Sequence, residues 1–187
     1  LNPSTQLAIL GDIVHTLARQ GISKLVILNG HGGNDFRQIL RELQADFPTV
    51  FLSTLNWFKA ADRNQYFAAP GDHADELETS AMLHIAPHLV RPLAEAGPGA
   101  GRQFRIAALR QGWVWAQREW SKVTADTGVG NPAAATAEKR AAFLEAVTPN
   151  IRQFLVELAA PDPPDLIDKL PRVPPALLSS PGPQPAS

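Results

Sequence analysis

The sequence predicts an α/β fold built on parallel strands, and three observations predict it. Leu25-Val26-Ile27-Leu28 is a run of four apolar residues that stops at Asn29-Gly30, the pattern of a strand buried on both faces inside a parallel sheet. A second short run, Val50 to Leu55, follows after one helix-length segment. Between and before them, apolar residues recur at helical spacing. Strand, helix and strand with short connections make a βαβ unit, whose crossover is right-handed.

The elements follow in order. Leu7, Leu10, Ile13, Val14 and Leu17 form one helical stripe that starts near Ser4-Thr5 and stops at Gly21. The first strand spans Lys24 to Asn29. The second helix spans Asp35 to Ala45, turns Phe36, Ile39, Leu40 and Leu43 inward, and has Asn34 placed to cap it. From Trp57 to Asp72 no period holds, and this stretch reads as a loop carrying Trp57, Phe58, Tyr66 and Phe67, with its aromatic residues poised over the strand ends. A third helix runs from Ala74 to Ala86 and is ended by Pro87. Residues 88–112 are rich in Pro and Gly and should hold a short strand near Phe104 to Ala107. The last helix covers Ala137 to Leu158, with Phe143, Leu144, Val147, Ile151, Phe154, Leu155 and Leu158 on one face. Residues 1–160 thus read as one domain. From Pro161 to Ser187 Pro, Ser and Gly dominate, a composition expected to stay disordered.

Composition narrows the chemistry. The 187 residues carry a net charge of -1 and no cysteine. No basic field argues for nucleic acid. No apolar run reaches membrane-spanning length. Without cysteine, a metal site must be built from His, Asp and Glu, and the lack of disulfides suits the cytoplasm. The chain begins at Leu1 and its only methionine is Met82, so it is expected to start inside a longer product.

Two segments concentrate chemistry. His31 lies within Asn29-Gly30-His31-Gly32-Gly33-Asn34, beyond the carboxyl end of the first strand, where open α/β sheets bind ligands. The plain alternative is a tight strand-to-helix turn. The second segment, Gly71-Asp72-His73-Ala74-Asp75-Glu76-Leu77-Glu78-Thr79-Ser80, sets one His among four carboxylates at a loop-to-helix boundary. Asp75 and Glu76 suit a charged first turn. Glu78 falls on the face of Ala81, Met82 and Ile85, read as the buried face, and a buried carboxylate must be paired or metal-bound. His31, His73 and Glu78 are therefore the candidate site, two imidazoles and a carboxylate that suit Zn²⁺, Mn²⁺ or Fe²⁺. His84 and His88 have chelating spacing, but Pro87 stands between them. His15 reads as a surface residue. The turn after the first strand lacks both the Gly-x-Gly-x-x-Gly spacing and a Walker lysine, so a phosphate loop is disfavoured.

The same motifs resemble those of the creatininase family of metal-dependent amidohydrolases. Asn29 to Asn34 matches its Asn-Gly-His-Gly-Gly-Asn motif. His73-Ala74-Asp75-Glu76-Leu77-Glu78-Thr79-Ser80 is similar to His-Ala-Gly-Glu-x-Glu-Thr-Ser, with Asp75 in place of Gly. Thr127-Gly128-Val129-Gly130-Asn131-Pro132 and Ala135-Thr136-Ala137-Glu138-Lys139 resemble the late Gly-x-x-Gly-Asp-Pro and Ala-Thr-Ala-Glu-Lys signatures, with Asn131 in place of Asp. The resemblance implies a three-layer α/β/α fold with a mostly parallel sheet and a homo-oligomer. It implies hydrolysis of non-peptide or cyclic C–N amide bonds, in small-molecule amides such as cyclic amides and formamides or in modified peptides, at a site of two divalent metals, Zn or Mn with Fe as a third option. By that analogy His31 is a metal ligand, Glu78 a metal ligand or its close support, and His73 a catalytic residue facing the substrate. A Glu that joins the metal site in some members is replaced here by Gly33, which argues against creatinine as substrate. The family's N-terminal Glu-x-His and Asp have no match in residues 1–30. The alternative to an enzyme is therefore a truncated, inactive remnant, and the isolated chain is expected to bind metal poorly.

Overall fold

A computed structural model describes residues 1–69, 71–163 and 166–167. Its regular elements are α1 (Pro3–Arg19), β1 (Lys24–Asn29), α2 (Arg37–Asp46), β2 (Phe51–Asn56), α3 (Glu76–Ile85), the single turns α4 (Ala107–Arg110) and α5 (Trp120–Val123), and α6 (Ala137–Ala159). The Pro-rich tail lies, beyond residue 163 and apart from 166–167, outside the described residues.

β1 and β2 pair in parallel, Lys24 opposite Phe51 through Asn29 opposite Asn56. This is the βαβ unit expected from the sequence, with the second strand one residue later. Side chains alternate across a strand, so Leu25 and Ile27 face the same way as Leu52. They pack with Val14 of α1 and with Ile39, Leu40 and Leu43 of α2 into one apolar cluster. The outer start of β2 is protected by Gln44. Its amide donates to the carbonyls of Phe47 (3.0 Å) and Val50 (2.7 Å), and its Oε1 accepts from the Leu52 N–H (3.2 Å).

Three expectations need correction here. Among the described residues the sheet has two strands, with α1 and α2 sharing the cluster on one face, so the broader, mostly parallel sheet is reduced in them to one parallel pair. β1 is not buried on both faces: Leu28, on the face opposite the cluster, is 64% exposed. The segment near Phe104 is not a strand. No neighbouring strand takes its backbone groups; the Arg110 guanidinium donates instead to the carbonyls of Phe104 (3.0 Å) and Arg105 (2.6 Å).

A second cluster joins α3, α6 and the aromatic loop. Phe143 of α6 is fully buried, and Trp57, Tyr66 and Phe67 meet its ring edge-on at 5.4–5.9 Å. Most of the aromatic loop is therefore core rather than a lid. Beside it the buried Arg140 guanidinium stacks over Trp57 at 4.1 Å. Burial pushes its pKa down.

One contact ties the two ends of the fold. The Lys24 ammonium, at the start of β1, donates to the carbonyls of Leu158 (2.8 Å), Ala159 (3.2 Å) and Pro161. A helix C-terminus leaves such carbonyls unpaired and favours a cation. Hydrogen bonds to a charged donor contribute about 1.5–3 kcal/mol, less where water competes, so Lys24→Met should cost about 1–2 kcal/mol. A fall in melting temperature of about 2–8 °C, at the 2–4 °C per kcal/mol usual for this size, checks it by calorimetry.

Candidate active site

His73 is held by its backbone before its side chain does anything. Its N–H donates to the Val129 carbonyl (3.1 Å) and its carbonyl accepts from the Val129 N–H (2.8 Å), an isolated antiparallel bridge. The Asp72 N–H adds a third bond to the same carbonyl at 2.7 Å. The Gly-rich turn after Thr127 is thus the backing of His73. Gly130, at φ +133°, must be glycine: a Cβ there would lie 2.5 Å from the Cβ of Asp75 and 2.8 Å from the Cα of Gly71.

The next residues convert this loop into a helix. Ala74 sits at φ +50°, the left-handed region that costs a non-glycine residue about 1–3 kcal/mol. Its N–H donates to Glu78 Oε2 at 2.7 Å. Asp75 caps α3: one carboxylate oxygen accepts from the Glu78 N–H (2.9 Å), the other from the Gly71 N–H (2.8 Å). Asp75 thus accepts from the Glu78 N–H while Glu78 reaches back to the Ala74 N–H, one residue before the cap, a variant of the capping box.

This geometry puts Glu78 beside His73, with Oε2 3.6 Å from the imidazole Nδ1. The distance is too long for a hydrogen bond but suits an ion pair when the imidazole is protonated. Both side chains are accessible, 41% and 45% exposed. The edge of Trp120 packs against His73, centroids 5.8 Å apart. The Arg118 guanidinium lies over Trp120 at 5.2 Å and pairs with Asp72.

The expectation that Glu78 is the buried carboxylate of α3 is wrong. Glu76 is fully buried, whereas Met82 and Ile85 are 41% and 68% exposed. The face is chosen by α6: the Lys139 ammonium of α6 pairs with Glu76, and the Thr136 N–H donates to the buried Ser80 hydroxyl at 3.1 Å. Burial pushes the Glu76 carboxyl up. The Lys139 ammonium and the amides of Ala69 and Ala68 outweigh burial and hold it below the usual carboxylate range. The late Ala135 to Lys139 segment is therefore structural.

His31 stands at the carboxyl end of β1, as its motif indicated. Asn29 is buried there and makes the turn: its Oδ1 accepts from the His31 N–H (3.1 Å) and the Asn34 amide (3.3 Å), and its Nδ2 donates to Asn56 Oδ1 (2.7 Å). Asn34 is thereby used on Asn29 and does not cap α2, which begins later, at Arg37. The Asp35 carboxylate accepts from the Arg37 N–H instead, at 3.1 Å. The His31 ring folds back so that Nδ1 accepts from the Gly33 N–H at 2.9 Å. A Cβ on Gly33 would lie 2.8 Å from the His31 Cε1. Phe58, of the aromatic loop, reaches over the neighbouring Gly32.

The three candidates are therefore brought together in part. His73 and Glu78 form a pair; no hydrogen bond or ion pair joins His31 to either among the described residues. With Nδ1 accepting, a neutral His31 carries its proton on Nε2, and Nε2 takes a metal only once that proton has left it; its move to Nδ1 breaks the Gly33 bond. Among the described residues no three His, Asp or Glu side chains are grouped to hold a metal. A catalytic metal takes about three protein ligands plus an open position, so these donors do not by themselves fit one. Sequence reasoning missed Trp120 and Arg118 as neighbours of His73. Their only signal was the aromatic clustering around Trp113, Trp115 and Trp120.

Gly130→Ala should move His73. A side chain there meets both unfavourable backbone geometry, about 1–3 kcal/mol, and overpacking against Asp75. A melting temperature lowered by several degrees, with altered Trp120 fluorescence, is the expected outcome. An unchanged melting curve would show that the turn yields without disturbing its neighbours.

Comparison with known proteins fits this architecture. Residues 1–155 match the creatininase family model, described as creatinine amidohydrolase. A proposed creatinine amidohydrolase from Bacteroides fragilis NCTC 9343 has a similar structure, with TM-score 0.82 and 43% identity over 90% of this chain and 65% of that one. A mutant creatininase complexed with creatine aligns with TM-score 0.70 at 21% identity, covering 86% of this chain and 67% of that one. A mycofactocin precursor peptide peptidase from Mycobacterium ulcerans (strain Agy99) is 33% identical over 144 residues, 74% of this chain and 51% of that protein. The chain thus spans about half the length of that relative and about two thirds of the Bacteroides protein. No described helix is long and apolar enough to cross a membrane. The parallel βαβ unit, the glycine-flanked His31 turn and the Asp75-capped His73 segment are the features that these matches span, and the chain belongs to the creatininase family.

Proposed function

We propose that the chain provides the His73 side of a metal-dependent hydrolase that cleaves non-peptide or cyclic C–N amide bonds in small molecules. The observation that carries this reading is the His73–Glu78 pair, accessible to solvent and fixed by the Val129 bridge and the Asp75 cap. In it His73 moves a proton during amide cleavage, with Glu78 orienting the imidazole. His31 and Glu78 are the ligands this chain would lend to a metal. Creatininases of this fold exist in a Zn–Zn form and a Mn form, and we assign Zn or Mn, with Fe as a third option, to a centre completed by donors outside the described residues. The protein is read as a cytoplasmic homo-oligomer that needs no nucleic acid.

A second reading has its own observation. The His31 Nδ1 is spent on Gly33 and no three-donor group is present among the described residues, as in an inactive remnant of the family. Metal analysis separates the two. The chain, and the whole protein its gene encodes, are dialysed against Zn²⁺ or Mn²⁺ and assayed on cyclic amides and formamides. The enzyme reading expects stoichiometric metal and turnover in the whole protein, with weaker metal binding by the chain alone. His31→Ala should then lose metal. A whole protein that holds no metal and cleaves none of the panel would overturn the enzyme reading in favour of the remnant.

A further inference from the structure

The segment from Arg102 to Lys122 is unlike the rest of the chain. It sets five cations, Arg102, Arg105, Arg110, Arg118 and Lys122, against one carboxylate, Glu119, in a protein of net charge -1. These residues do not disperse over the surface. All six line one cavity of about 690 Å³, together with the ring of Trp115, which is 81% exposed. That volume lies within the range of small-molecule sites.

The cations differ in what they already hold. Lys122 pairs with Glu119 and Arg118 with Asp72. Arg110 is spent on the carbonyls of Phe104 and Arg105 and stiffens the wall. Arg102 and Arg105 have no carboxylate partner among the described residues, and both are exposed at the cavity. Two free guanidinium groups beside an exposed indole are a receptor for a carboxylate next to an apolar or aromatic group. The guanidinium matches a carboxylate in two-point geometry, and the indole covers the flat body of the ligand.

The place of the cavity gives that receptor a purpose. Its wall includes Arg118 and Glu119, and the next residue, Trp120, is the one whose edge meets His73. Arg118 also stacks on Trp120 and pairs with Asp72, the neighbour of His73. We propose that this cavity seats the carboxylate of an acyclic amide, an N-acyl amino acid, and so directs the chain toward anionic amides. The inference rests on the hydrolase reading above and narrows its substrate. Nucleic acid is the rival occupant of any basic and aromatic surface, but it needs an extended groove and a broad positive field, and the net charge of -1 supplies none.

The test reads binding, not turnover. Hippurate and its neutral analogue benzoylglycinamide are titrated into the full chain by calorimetry and by tryptophan fluorescence. Hippurate should bind at least about tenfold more tightly than the neutral amide and lose affinity as salt rises. Arg102→Ala with Arg105→Ala should abolish that preference with an unchanged melting curve. Equal affinity for the two probes, or a preference that survives the double substitution, overturns the proposal. So does tighter binding of single-stranded oligothymidine of about ten nucleotides. If hippurate is preferred but the whole protein hydrolyses no amide, the hydrolase reading fails and the anion site stands. If neutral amides are cleaved and hippurate is not preferred, the reverse holds.

Discussion

Glu76→Ala should destabilise the protein by about 3 kcal/mol at neutral pH, close to the 3–5 kcal/mol found when one partner of a buried ion pair is removed. The lower end applies because Lys139 is one-third exposed and regains some water. Three things are lost together: the pair with Lys139, the acceptor for the Ala69 N–H at 2.8 Å, and the volume of a fully buried side chain. For a chain of this size the melting temperature should fall by about 6–12 °C. The effect depends on pH in a definite direction. The Glu76 carboxyl is held below its ordinary value in the folded state, chiefly against burial, by Lys139 and the backbone amides. Its contribution is therefore present in full above the ordinary carboxylate pKa. It is lost as pH falls through the lower folded value. The gap between the melting curves of wild type and variant should be widest at pH 7 and narrow in acid to the part due to lost packing. A constant gap across that range would mean that the variant acts through packing alone.

The same residue shows where sequence reading stops. Apolar runs and their spacing delivered β1 residue for residue and the parallel pairing with β2, because strand order in a βαβ unit is a local matter. They misplaced the buried face of α3. Local period pointed to Glu78, Met82 and Ile85, but the face is chosen by Lys139 and Thr136, about sixty residues away on α6. Nothing in the helix itself encodes that choice. Phe143 explains a second miss. It draws Trp57, Tyr66 and Phe67 into a core cluster, so a stretch without periodicity that read as a lid is mostly interior, and only Phe58 extends toward the His31 turn. Asn34 shows a third. It suits a helix cap by type, but the amide of Asn29 is buried and needs partners more, and Asn34 supplies them. The candidate site was legible as residue types, His31, His73 and Glu78. Its backing was not: the Val129 bridge and Trp120 reach His73 across more than forty residues.

That backing makes a sharp prediction for His73→Ala. Turnover by the whole protein should fall by about 10²–10⁴, the usual worth of a placed general acid or base. The fold should survive, because the backbone bonds to Val129 do not involve the imidazole. The ring is 41% exposed and its main apolar contact is the edge of Trp120, an interaction of about 0.5–1.5 kcal/mol. Melting temperature should therefore shift by only a few degrees. Metal content should stay level with wild type, in contrast to His31→Ala, since the proposed role of His73 is to move protons. His73→Gln offers a control for shape: it keeps a polar side chain against Trp120 but does not titrate, and it should be as slow as His73→Ala. Rate, metal content and melting temperature together leave little room. Lost metal would make His73 a ligand. A rate near wild type in both variants would remove it from the chemistry, leaving its pairing with Glu78 a feature of the helix start alone.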